Sequence, residues 1–297
     1  MERNLTVSSA KETSIESTAS RYNPWLKRYQ LLAFFGLAFA ITWGGWFLLL
    51  ALQSGVLRFK LDPNSLTATL MFRFSGWGPT ISAIVLTALV AGKGGLREYF
   101  RSLARWRVGL RWYAVVLFTM TAIILAVMAV ARLLGWPLPV SPYLTAWYSP
   151  FLLIIPAVFV GSVEAGIAEE PGWRGYALPH LLSRFNPLTA ALILGVIWGL
   201  WHLPIYILDA DTPLNFLVLM LQTPALSILI AWAYINTKRS TLMAILFHGA
   251  IDGTWVLFLN NTEEIHVNGL LTAGMWVAAL IVLAIFGTRL SRQPQEG

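Results

Sequence analysis

The apolar residues of this chain gather into long runs separated by short polar connections. The runs fall at about residues 31–52, 74–92, 112–134, 149–182, 188–208, 214–235, 241–260 and 268–287. A helix rises about 1.5 Å per residue and a bilayer core is about 30 Å thick, so roughly 20 apolar residues suffice to span it. Each of the eight runs is long enough. The pattern predicts an all-α polytopic membrane protein with about eight transmembrane helices over residues 29–290. Residues 1–28 lack an apolar run, are rich in Ser, Thr, Lys, Arg and Glu, and end in Lys27 and Arg28. They read as a flexible cytoplasmic arm and not as a cleavable signal peptide.

Composition sharpens the class. Hydrophobic residues make up 57% of the 297 positions and charged residues only 12%, with a mean hydropathy of +0.65. Soluble domains carry about a quarter charged residues, so a separate soluble domain of any size is excluded. The absence of cysteine excludes disulfides, thiolate metal sites, iron–sulfur clusters and a cysteine nucleophile.

The net charge of +7 acquires meaning from its distribution. With eight spans both termini share one side, and 17 of the 21 Lys and Arg residues fall there; Arg58, Lys60, Arg73 and Arg132 fall opposite. The positive-inside rule places both termini in the cytoplasm, in the cell membrane of a prokaryote, and no nucleic-acid partner is expected. The 93–111 connection has six cations against Glu98 and reads as a surface segment near anionic headgroups. No internal repeat of the kind that marks inverted-repeat transporters is visible.

Ionisable groups inside an apolar span are costly and point to function. They cluster in three runs: Glu164, Glu169, Glu170 and Arg174 in the fourth, His202 in the fifth, and His248 and Asp252 in the seventh. Three of eight spans carrying such groups suggests one shared cavity. Adjacent residues on a helix point about 100° apart, so Glu169 and Glu170 cannot serve one partner, whereas Glu170 and Arg174 at i,i+4 can pair. That leaves Glu169 as the reactive carboxylate. Pro171 and Gly172 are placed to distort the helix toward the cavity. His248 and Asp252 share a face at i,i+4, and Gly249 and Gly253 allow close approach. Each group also has a plain structural reading: a buried ion pair, a hydrogen-bonded interhelical His202, a polar pair joining helices.

Together, a carboxylate and two histidines on three spans suit peptide hydrolysis, in which a base activates water and a second group stabilises the oxyanion. Two His and one Glu is also a zinc ligand set, with Glu169, His202 and His248 as candidates. There is no H-E-x-x-H, G-x-S-x-G, Walker or dinucleotide motif.

The order Glu169-Glu170-x-x-x-Arg174, Trp198-x-x-x-His202 and His248-x-x-x-Asp252 resembles the CAAX protease and bacteriocin-processing (Abi) family of intramembrane endopeptidases. Gly172-Trp173-Arg174-Gly175-Tyr176 and Trp201-His202-Leu203-Pro204 are similar to its bacterial members. The resemblance implies an eight-helix fold with the site buried in the bilayer. It implies that Glu169 acts with His202 on water, that Glu170 and Arg174 hold the site's shape, and that His248 with residue 252 forms the oxyanion side. Trp198 stands where Phe is usual, and Asp252 where Asn is usual, so Asp252 is expected to orient His248. In the family a zinc ion and a glutamate-only route are both entertained; the metal-independent route is expected here, with no soluble cofactor.

The expected partner is a peptide or membrane-anchored polypeptide, prenylated or of bacteriocin type, reaching the site from the cytoplasmic side of the bilayer. An immunity or scaffold protein on the same fold is the alternative, a proton-coupled transporter the next. For Glu169 to meet His202 in depth, the fourth helix must continue past Arg174 to about residue 182.

Overall fold

A computed structural model describes residues 24–57, 60–138, 154–208, 212–259 and 265–292. Every regular element among them is helical: α1 (Pro24–Gln53), α2 (Leu66–Ser75), α3 (Gly78–Leu103), α4 (Leu110–Leu133), α5 (Ile154–Gly172), a π-helical turn (Trp173–Ala177), α6 (Leu178–Leu182), α7 (Pro187–Trp201), α8 (Leu203–Leu208), α9 (Pro213–Asn236), α10 (Thr241–Leu259) and α11 (Ile265–Phe286). The chain is a multi-pass membrane protein. Residues 24–28, assigned to the polar arm from sequence, already form the first turns of α1; residues 1–23 of that arm lie outside the described residues.

Among the described residues seven stretches are long and apolar enough to cross a membrane, with α7 and α8 counted as one. The eighth run predicted from sequence, 149–182, is not among them. It forms the α5–π–α6 segment and carries Glu164, Glu169 and Glu170. Glu169 and Glu170 are tolerated because the helix is packed between others, the stretch Ala168–Tyr176 being buried at every position but Gly175, while the partly exposed Glu164 pairs with Arg73. The helix runs on to Leu182, as the depth argument required.

Local chemistry sets the boundaries. Ser65, Asn186 and Thr212 cap α2, α7 and α9 by accepting from the backbone N–H three residues on, and Pro187 and Pro213 open their helices where no donor is needed. Pro171 lies inside α5, where it removes a helical donor; the helix passes directly into the π turn that carries Arg174.

Close approach of α5 to α10 depends on small residues, as between helices in lipid generally. A Cβ on Gly166 would meet the Ile245 carbonyl oxygen at 2.6 Å, and one on Gly249 would meet Val163 Cα at 3.0 Å. This contact sets the two polar helices face to face.

The bundle has two distinct ends. At the end where α1 begins, Arg105 donates to the Lys238 carbonyl, Asn236 Nδ2 donates to Leu290 O at 2.7 Å, and Tyr176 Oη reaches Gln30 Oε1 at 3.4 Å. At the other end Leu61 N donates to Leu52 O at 3.0 Å, and Trp46 Nε1 to Phe72 O at 3.0 Å.

Candidate active site

Glu169 and Glu170 diverge, as helical geometry demands. Glu170 is completely buried, and its Oε1 accepts from Arg174 Nη1 at 2.7 Å and contacts His248 Nδ1 at 2.8 Å. A carboxylate only accepts, so the imidazole carries its proton on Nδ1. His248 Nε2 faces Asp252 Oδ2 at 3.5 Å. Glu170 therefore joins α5 to α10, a link wider than the Glu170–Arg174 pair expected from spacing alone.

Glu169 turns the other way, and its Oε2 accepts from Trp198 Nε1 at 2.7 Å and Trp173 Nε1 at 3.2 Å. Both donors use the same oxygen, which leaves Oε1 uncommitted. At the C-terminal cap of α7, His202 Nδ1 lies 2.8 Å from the Trp198 carbonyl oxygen, so that nitrogen bears the proton and Nε2 keeps its lone pair.

Trp198 connects the whole group. Its indole N–H holds Glu169 and its carbonyl holds His202. Its ring lies edge-on to His202 at 5.7 Å and His248 at 5.4 Å, with the Arg174 guanidinium over it at 4.9 Å. His248 and Asp252 lie within Coulombic reach of both Glu169 and His202. The structure thus brings together every site residue singled out in the sequence.

Glu169 and His202 share the wall of a cavity of about 700 Å³. Trp46, Leu49, Phe72, Trp201, Ile205 and Leu208 make it largely apolar, and Arg73 is its lining cation. It reaches Gln53, Pro63 and Leu208, at the end of the bundle away from Pro24.

Three participants were not identified as such from sequence. Trp198 was visible only as aromatic bulk, because nothing in a one-dimensional spacing says that an indole N–H will meet a carboxylate 29 residues away. Trp173 could have been found, since it sits i+4 from Glu169 on the same helical face. Glu164 accepts from Arg73 Nη1 at 2.8 Å and from Trp77 Nε1 at 2.9 Å. That pairs an in-span acid with a cation that sequence had placed in a loop.

The zinc ligand set does not assemble. Among the described residues no three His, Asp or Glu side chains are grouped to hold a metal ion.

A Trp198→Phe variant keeps an aromatic ring but loses the donor to Glu169. A hydrogen bond to a charged group is worth about 1.5–3 kcal/mol, so turnover is expected to fall about tenfold or more. Binding should change little, because the ring still fills the wall. A kcat against KM comparison on one substrate checks this; an unchanged kcat would remove Trp198 from the site's machinery.

Residues 150–254, which contain all of these groups, match the family described as type II CAAX prenyl endopeptidase, Rce1-like. The chain is similar to CAAX prenyl protease 2 of Methanococcus maripaludis, 31% identical over 145 residues that cover 45% of this chain and 48% of that protein. It thus spans about half the length of the relative it matches. The segment that holds Glu169, His202 and His248 is similar to type II CAAX prenyl endopeptidases of the Rce1-like family.

Proposed function

We propose that this protein is an intramembrane endopeptidase that hydrolyses peptide bonds of a membrane-associated polypeptide, using water activated by Glu169 and His202. The observation that carries this reading is the division of the two glutamates. Glu170 is fully buried away from the cavity, with Arg174 and His248 both bonded to its Oε1, whereas Glu169, bonded through Oε2, lies on a cavity wall it shares with the bare Nε2 of His202.

In this reading the polypeptide lies along the apolar wall with its scissile carbonyl between the two groups. Glu169 takes one proton from the water while His202 Nε2 accepts a hydrogen bond from its other O–H. The hydroxide adds to the carbonyl carbon, and the same proton is delivered to the departing amine as the C–N bond breaks. The tetrahedral oxygen needs a donor. His248, with protons on both ring nitrogens, would supply it from Nε2, steered by Asp252 and braced by Glu170. Burial in a water-poor bundle strengthens each of these interactions.

The cation distribution orients both termini toward the cytoplasm, and the cavity then opens at the opposite end. This differs from the cytoplasmic access expected from sequence. The polypeptide would reach Glu169 through the outer part of the bilayer, between α1, α2 and α8.

The reading is tested with the purified protein in liposomes and a panel of membrane-anchored peptides presented on either face, with products identified by mass. Cleavage confined to peptides on the outer face is expected. No cleavage across a wide panel would favour an immunity or scaffold protein on the same fold. Exhaustive chelation is expected to leave the cleavage rate unchanged, since no step draws on a metal. Loss of activity restored by stoichiometric zinc would overturn the metal-independent route and make zinc-bound hydroxide the attacking species.

A further inference from the structure

A second cavity, of about 350 Å³, lies at the basic end of the bundle, away from Glu169. Its mouth is formed by Arg105 from the α3–α4 connection, Arg239 from the α9–α10 turn, and His180 from α6. Its inner part is lined by Thr87, Val90 and Ala91 of α3. A cationic mouth over an apolar interior is the shape of a lipid: headgroup at the interface, chains toward the core.

Two features show that the mouth is built. Tyr99 lines it and is 7% exposed, and its hydroxyl has no hydrogen-bond partner among the described residues. A buried donor left unpaired is costly, and such groups mark where a ligand is received. Lys238 and Arg239 are consecutive non-glycine residues with φ of 57° and 58°. The turn is held in that strained form by the Arg105 bond to the Lys238 carbonyl and by Arg239 N donating to Tyr234 O at 2.9 Å. Arg239 and Arg105 both line the cavity.

Glu98 is the acid on this wall. It pairs with Arg101 at 3.6 Å and Arg105 at 3.7 Å, and its side chain is 65% exposed. Such loose, solvated pairs contribute little, so a phosphate can displace the carboxylate from Arg105.

We propose that this cavity binds the headgroup phosphate of an anionic membrane lipid, held by the Arg105 and Arg239 guanidiniums and the Tyr99 hydroxyl. Bidentate guanidinium contacts match phosphate geometry, and basic pockets between helices on the cytoplasmic side are suited to such headgroups. Of the six cations in the stretch 93–111, which is helical through Leu103 and again from Leu110, Arg105 lines the cavity. Gly175 and Tyr176, directly after Arg174, also line it, so an occupied site would brace the π turn.

The test is native mass spectrometry of the full-length protein in neutral detergent. It is titrated with phosphatidylglycerol, with phosphatidylcholine of the same chains, and separately with inorganic phosphate. Phosphatidylglycerol is expected to bind at least tenfold more tightly than either. Arg239→Gln, at an exposed position, should weaken it about fivefold or more. Tyr99→Phe, which keeps the ring, should weaken it severalfold without lowering the unfolding temperature. Arg97→Gln, on α3 but outside the cavity, should leave it unchanged. Equal binding of the two lipids, or an equal loss in Arg97→Gln, would overturn the site. Inorganic phosphate binding as tightly as the anionic lipid would overturn its assignment to a headgroup.

Discussion

Replacing Glu169 by glutamine or alanine is expected to lower peptide cleavage by about a hundred- to ten-thousand-fold, the range that positioned acid–base groups contribute. No other carboxylate can take its place: Glu164, on the same wall, is committed to Arg73 and Trp77, and Glu170 lies off the wall, bonded to Arg174 and His248. Glutamine is the cleaner replacement. Its carbonyl can still accept from the Trp198 and Trp173 indoles, whereas alanine leaves two buried donors unpaired at about 1–3 kcal/mol each. Rates on a membrane-anchored peptide and unfolding temperatures in the same detergent separate the two effects. The glutamine variant should unfold like wild type and be inactive. A glutamine variant with near wild-type cleavage would remove Glu169 as the base and with it the proposed mechanism.

Arg174→Ala should fail differently, through folding. Arg174 and Glu170 are fully buried and 2.7 Å apart, and Arg174 also lies over the Trp198 ring. Removing one partner of a buried pair leaves an uncompensated charge at a cost of about 3–5 kcal/mol. That is a large fraction of the stability of a typical protein. The expected result is a low yield of folded protein and no detectable cleavage. Removing both charges, as Arg174→Met with Glu170→Gln, should recover folded protein, because an apolar replacement of a buried pair costs little. It should not recover activity, since His248 loses the carboxylate that braces it. Folded yield by size exclusion and cleavage by the same assay report the two outcomes. A well-folded, fully active Arg174→Ala protein would show that the glutamates do not divide into a structural and a reactive one.

The helices and the identity of the polar residues were legible one segment at a time. Run length against bilayer thickness matched seven of the eight predicted runs to spans among the described residues, because in lipid each helix must satisfy its own backbone. The i,i+4 rule paired Glu170 with Arg174 and His248 with Asp252, and the depth argument carried the fourth helix to Leu182. These are properties of single helices, whose geometry repeats every 3.6 residues wherever they are packed.

What passes between helices was decided only by tertiary structure. Glu170 meets His248 across 78 residues and Glu169 meets Trp198 across 29; the crossing of α5 on α10 at Gly166 and Gly249 sets the first distance. The Nδ1 protons of His202 and His248, and with them the one nitrogen left for chemistry on His202, follow from those neighbours. So does the direction of the cavity. Apolarity says that a helix is buried but not which neighbour it faces, because lipid tails and leucine side chains are equally apolar. The small residues and hydrogen bonds that choose the neighbour act at the contact itself, and only the folded bundle brings them together.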